Sequence, residues 1–168
     1  MRDTSSLIIM GVAGAGKTAV GREVAKRLEI PFLDADDVHP PANRQKMAAG
    51  LPLSDEDRGE WLLALNRELT NAHRHKQPLV LACSALKESH RVTLSQKLIP
   101  PPLWVVLHGS PEVVRRRMRQ RRGHFFPPQL IESQFAALQL PRYGLRLDLR
   151  KSVEELVEHI LRWLAEED

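Results

Sequence analysis

Short, wholly apolar runs alternate along this chain with amphipathic stretches, and the alternation predicts strands and helices in turn. LIIM (7–10) is an uninterrupted apolar run stopped by Gly11, the pattern of a strand buried on both faces. From Lys17 to Leu28, the apolar residues Val20, Val24, Ala25 and Leu28 return on one helical face. Pro31 closes that pattern, and Phe32-Leu33 predicts a second, short strand. Pro40-Pro41 breaks the chain before ANRQKMAAG, a short helix stopping at Gly50. Ser54, followed by Asp55-Glu56-Asp57, is a cap with acidic residues in the first turn, and Trp61, Leu62, Leu65 and Leu69 form the buried stripe of the long helix it opens. LVLAC (79–83) and LWVVL (103–107) predict two more strands, with LKESHRVTLSQK helical between them. Ser110-Pro111 opens an arginine-rich helix that Gly123 ends, and Pro127-Pro128 opens another running to about Leu138. LRLDL (145–149) is the last predicted strand. Ser152 and Glu155 then form a capping box for a C-terminal helix faced by Val153, Leu156, Val157, Ile160 and Leu164.

Strand then helix, repeated, with strands apolar at every position, predicts an α/β fold whose parallel sheet is covered on both faces. The 168 residues carry no internal repeat and no low-complexity linker, so residues 1–168 read as one domain. Two stretches, roughly 38–75 and 115–138, fit the sheet poorly and are expected at its carboxyl edge, where such folds bind ligands.

Composition narrows the classes. One cysteine excludes a disulfide framework and any Cys-rich zinc module, and its place at the end of an apolar strand makes Cys83 a core residue. No apolar run approaches the ~18 residues of a membrane span. The first apolar run leads into GVAGAGKT rather than a cleavage site, so a cytoplasmic setting is expected. The net charge of +4 is local in origin: RRRMRQRR (115–122) holds six of the 25 basic residues, and the remaining 19 fall short of the 21 acidic ones. A domain-wide nucleic-acid footprint would be spread differently, and Trp61, Trp104 and Trp163 are too scattered to form a stacking platform.

Gly11-Val12-Ala13-Gly14-Ala15-Gly16-Lys17-Thr18 matches G-x-x-x-x-G-K-[ST] in full, with a strand before it and a helix after it. Glycines let successive backbone N–H groups converge on an anion, and the following helix adds its positive end. Lys17 supplies a mobile charge for the terminal phosphates of a nucleoside triphosphate and Thr18 an oxygen for Mg²⁺. Downstream, Asp34 and Asp36 follow the second strand. If the backbone stays extended there, both point the same way, one toward the waters of a metal and one toward an acceptor hydroxyl, with Asp37 turned away. No acid ends LVLAC, which favours Asp34 as the metal-side carboxylate.

GVAGAGKT, LDADDVHP, NRQKMAAGLPLSDEDR-x-x-W, ACSALK and RRGHFFPPQLIESQF together resemble the small phosphate-loop gluconokinases, from about Leu7 to Leu138 and more weakly to the C-terminus. The resemblance implies a fold shared with shikimate kinase and the nucleoside monophosphate kinases: a five-stranded parallel sheet of order 2-3-1-4-5, with 38–75 as acceptor-binding excursion and 115–138 as lid. It implies ATP as phosphoryl donor, Mg²⁺, D-gluconate as acceptor and a homodimer, with no nucleic-acid or membrane partner. Asp34 would be metal-side with Thr18, and Asp36 would meet the acceptor hydroxyl. His39 and Arg44 fall in the substrate segment, and Lys87 and Arg91 at the edge of the acceptor pocket. Arg117 and Arg121 match the lid arginines, and His124 lies in its GHFF sequence. Ala13 and Ala15 stand where the family usually has serines. The stretch from Pro141 to Asp148 is shorter and more basic than usual, in a region that would border the adenine. Two rivals stand beside this reading: a kinase of another small acceptor, such as shikimate or a nucleoside monophosphate, and a nucleotide- or nucleic-acid-binding module using the arginine helix.

Overall fold

The computed structural model describes residues 5–49, 51, 53–120 and 128–167, the side chain of Pro128 excepted. The elements are β1 (Leu7–Met10), α1 (Lys17–Leu28), β2 (Phe32–Asp34), a 3₁₀ turn (Ala35–Val38), α2 (Pro41–Ala48), α3 (Asp55–Arg74), β3 (Val80–Ala82), α4 (Glu88–Ser95), β4 (Leu103–His108), α5 (Pro111–Gln120), α6 (Pro128–Ala137), β5 (Leu145–Asp148) and α7 (Val153–Glu166). The strands form one parallel sheet in the order β2-β3-β1-β4-β5, as expected.

The continuous apolar runs follow from burial on both faces. Along β1, Leu7 and Ile9 enter one core with Val20 and Val24 of α1 and Leu156 and Ile160 of α7, while Ile8 and Met10 enter the other with Leu65 and Leu69 of α3 and Leu94 of α4. All four β1 residues are fully buried, and each such side chain contributes about 1.5–3 kcal/mol through transfer from water. The caps fall as predicted. Ser54 and Asp57 form a capping box on α3, Ser152 and Glu155 one on α7, and Ser110 Oγ accepts the Val113 N–H at 3.3 Å.

The stretch 38–75, expected as one excursion, divides. Its second half, α3, packs on α4 and buries Leu62, Leu65 and Leu69 in the sheet's own core, because a 20-residue helix with one apolar stripe is a full sheet-covering layer. Only α2, whose one buried residue is Asn43, lacks such a stripe. Likewise, in 115–138, Met118 of α5 and Ile131 of α6 reach the core. Among the described residues, no helix is long and apolar enough to cross a membrane.

Candidate active site

The glycines of the loop after β1 are dictated by both backbone and space. Gly14 and Gly16 have φ of +81° and +90°, a region that costs an L-residue about 1–2 kcal/mol. A Cβ on Gly14 would meet Met118 Cε at 2.8 Å, and one on Gly16 would meet Arg117 Nη2 at 3.1 Å. Helix α5 therefore rests directly on the loop, and the Arg117 guanidinium lies over Gly16. Arg117 Nη1 also donates to the Leu149 carbonyl. The Ala15 N–H donates to Val12 O at 3.1 Å, closing the loop apex. Lys17 Nζ donates to the Gly11 and Val12 carbonyls, both at 3.0 Å. Helix α1 begins with no side-chain cap and no acid in its first turn, so its positive end stays open to an anion.

Thr18 Oγ1 donates to Asp34 Oδ2 at 2.7 Å, joining the loop to the end of β2. Beyond Asp34 the backbone does not stay extended, contrary to the expectation from spacing. Ala35–Val38 wind into a 3₁₀ turn because Asp34 Oδ1 accepts the Asp36 N–H at 3.0 Å, a local bond that competes with strand continuation. Asp34 and Asp36 still line one cleft, brought together by the turn. Asp36 is exposed to that cleft, yet its carboxyl is raised above the usual range. Desolvation by the cleft wall is the main cause and the Asp34 charge the next, with Lys17 opposing.

The cleft holds about 280 Å³, near the low end of small-ligand sites (roughly 300–1,000 Å³). Ala82, Cys83 and Ser84 line it from the end of β3, and Leu130 and Gln134 of α6 line it from the other side. Burial pushes the Cys83 thiol up to about 12, so it is a neutral core group.

Behind the acidic turn, the buried His39 ring stacks on Trp61, with centroids 4.5 Å apart and planes 12° from parallel. Trp61 Nε1–H in turn donates to Ala35 O at 2.8 Å. Asn43 Nδ2 donates to Asp57 O at 3.0 Å and lies 3.4 Å from His39 Nδ1, which assigns the imidazole as neutral with its proton on Nε2. Burial lowers the His39 pKa; the Asp36 charge opposes this and Arg44 adds to it. Arg44 is exposed and holds the turn from outside, Nε to His39 O at 3.2 Å and Nη2 to Asp37 O at 2.6 Å.

Neither Lys87 nor Arg91, both expected at the edge of the acceptor pocket, lines this cleft. Lys87 is exposed at the N-cap of α4 and is not part of the cleft lining. Arg91 is 2% exposed and its guanidinium is saturated: Nη1 donates to Ala85 O (2.7 Å) and Leu86 O (3.1 Å), Nη2 to Gln139 O (2.6 Å), and Nε to Glu88 Oε2 (2.9 Å) and Tyr143 Oη (3.2 Å). Arg91 shares the inward face of α4 with Leu94, so it ties the loop after β3 to the chain after α6 and has no donor left for a substrate. Arg121 and His124 lie outside the described residues. Sequence reasoning missed Ser84, Leu130, Gln134, Asn43 and Trp61 as parts of the site or its wall. Leu130 and Gln134, four apart in α6, carry a signal only once that helix is known to face the loop.

A phosphate loop whose threonine meets an aspartate at the end of β2, two places along the sheet from β1, with a second carboxylate across the same cleft, defines a phosphate-loop kinase of small acceptors. The sequence matches the shikimate kinase family over residues 13–139. It is 40% identical over 171 residues to the probable gluconokinase of Xenopus tropicalis (92% of this chain, 90% of that one) and 40% identical over 157 residues to the thermosensitive gluconokinase of Escherichia coli (91% and 83%). The crystal structure of a gluconokinase from Sinorhizobium meliloti matches with a TM-score of 0.87 at 39% identity, over 99% of this chain and 94% of that one. The chain belongs to the gluconokinase family.

Proposed function

We propose that this protein transfers the terminal phosphoryl group of ATP to the terminal hydroxyl of D-gluconate, giving 6-phospho-D-gluconate and ADP. The observation that carries the chemistry is the placement of Asp36 across one cleft from the phosphate loop and the Thr18–Asp34 pair; the family supplies the acceptor. The backbone N–H groups that the loop from Gly11 to Thr18 leaves open, together with the open end of α1, receive the phosphates. Lys17 exchanges its two loop carbonyls for phosphate oxygens. As the new O–P bond forms at the acceptor oxygen, the bond from the terminal phosphorus to the oxygen kept by ADP breaks, and the hydroxyl proton passes to Asp36. The raised pKa of Asp36 suits a base at neutral pH better than that of an ordinary aspartate. Thr18 and Asp34 offer hard oxygen donors that fit Mg²⁺, an ion usually held by one or two carboxylates together with substrate phosphates. Bound there, Mg²⁺ would offset the phosphate charge.

Arg117, already over Gly16, acts as a donor to the transferring phosphoryl group, with Arg121 given the same role by family resemblance and 115–138 as the cover of the nucleotide site. His39 and Asn43 form the wall behind the acceptor, and Arg44, Lys87 and His124 are its polar partners, with Arg44 and Lys87 the cations for the gluconate carboxylate. Arg91 is withdrawn from that group because its donors are taken. The working form is read as a cytoplasmic homodimer of single-domain chains, by family resemblance.

The test is ADP release with Mg²⁺ and ATP across a panel of D-gluconate, shikimate and AMP. Strong stimulation by gluconate alone is expected. Equal or greater stimulation by shikimate or AMP would overturn the assignment, and salt-sensitive nucleic-acid binding without acceptor-stimulated turnover would favour the binding-module reading.

A further inference from the structure

Gln134 stands 121 residues from Ala13 in the chain, yet its Oε1 accepts the Ala13 N–H at 3.0 Å. Ala13 lies at the loop apex, within the turn closed by Ala15 N–H and Val12 O, so its N–H belongs to the set of donors that receives an anion in such loops. The Ala13 N–H needs an acceptor, and that need fixes the orientation of the carboxamide: oxygen to the loop, Nε2 away from it. Among the described residues, Ala13 is the one hydrogen-bond partner of that carboxamide, and Gln134 lines the same cleft as Lys17, Asp34 and Asp36. Two uncharged N–H donors are thus held beside the place where phosphoryl transfer occurs. They sit on a rigid support: α6 is anchored by Ile131 in the core, and Leu130, one turn before Gln134, adds an apolar wall to the cleft.

We infer that Gln134 is a further catalytic residue of this site. Its Nε2–H donates to a non-bridging oxygen of the phosphoryl group in flight, while its Oε1 holds the loop apex. The inference rests on the kinase reading above. A preorganised neutral donor of this kind adds little net attraction for the charged nucleotide in the ground state, and its removal typically costs about 10²–10³ in kcat.

The two ends of the carboxamide can be tested apart. Gln134→Glu keeps an oxygen for the Ala13 N–H and replaces the donor with an anion; Gln134→Leu removes both. Donation to the phosphoryl group predicts that Gln134→Glu loses about 10²–10³ in kcat, at least as much as Gln134→Leu, with the gluconate KM moved by less than about threefold. A role limited to fastening the loop predicts the reverse order, and a Gln134→Glu enzyme within about threefold of wild-type kcat overturns the inference. A second readout needs no acceptor. Calorimetric affinity for ADP with Mg²⁺ should be nearly the same in wild type and Gln134→Glu, whereas addition of aluminium fluoride, which mimics the phosphoryl group in flight, should tighten binding in the wild type and about 10–100-fold less in the variant. Equal tightening in both proteins overturns the inference even if gluconate proves to be the wrong acceptor; failure of the wild type to phosphorylate gluconate overturns the proposed function alone. Should Gln134→Glu not show a cooperative thermal transition, Gln134→Asn, which keeps the chemistry but shortens the reach, takes its place: a loss of the same order supports the inference, and kcat within about threefold of wild type overturns it.

Discussion

Replacing Arg91 with methionine should unfold this protein early rather than weaken its grip on the acceptor. The guanidinium serves three carbonyls inside the fold. Leu86 O keeps a second donor, the Gln139 N–H at 2.8 Å. Ala85 O and Gln139 O lose the donor that Arg91 supplies. A buried group left unsatisfied costs about 1–3 kcal/mol, so the pair costs about 2–6, and the break of the Arg91–Glu88 ion pair lies within the same sum rather than beside it because Glu88 is half-exposed. A central value of about 4 kcal/mol, at about 2–4 °C per kcal/mol for a chain of this size, lowers Tm by about 8–16 °C. Circular dichroism against temperature, repeated at two scan rates, measures this. Well below the variant's transition, the gluconate KM should stay within about threefold of wild type. A Tm drop under about 3 °C together with a gluconate KM raised tenfold or more would return Arg91 to the acceptor pocket and refute the reasoning.

Asp36→Asn should lower kcat about 10²–10⁴-fold while the KM for ATP changes little, as steady-state kinetics with gluconate in excess will show. Because Asp36 must be ionised to accept a proton and its pKa is raised, kcat/KM should fall as pH falls, through a limb above the usual aspartate range; a limb at the ordinary value would remove the desolvation argument. Asp34→Asn should move the Mg²⁺ concentration needed for half-maximal rate upward, measured by titration at fixed ATP, and an unchanged Mg²⁺ curve would separate Asp34 from the metal. Asp57 is held down at about 2 by the hydrogen bond from Lys46 and by the Ser54 N–H. Its contribution to stability should be complete above the ordinary aspartate value near ~4 and fade as pH falls toward 2, so urea midpoints of wild type and Asp57→Asn should converge at acid pH.

The sheet was legible because burial on both faces writes itself into unbroken apolar runs, and the loop because an anion cradle demands glycines at set positions. The parts that escaped are those decided by a single competing bond. Nothing in LDADDV distinguishes an extended pair of aspartates from a turn until the Asp34 side chain is seen to take the Asp36 N–H. Lys87 and Arg91 are four apart in a stretch that reads as helical, but α4 begins at Glu88 and Lys87 is its extended cap, at φ −97° and ψ 148°, so no helical face joins them. Gln134 meets the loop across 121 residues, a separation at which no local pattern carries information. Its segment was visible as part of a family signature, without any hint of which atom it touches.

The stack of His39 on Trp61 puts a fluorophore in the proposed acceptor wall. Trp104 is buried within β4 and Trp163 lies on the C-terminal helix, while Trp61 has its indole N–H on the carbonyl that opens the acidic turn and its face against the imidazole of His39, shortly after Asp36. Its emission therefore reads the position of the very segment that carries the proposed base, Asp36. A single-tryptophan enzyme, with Trp104 and Trp163 replaced by phenylalanine, would report occupancy of the acceptor side as a change in intensity on the timescale of binding, with no label attached and no turnover required.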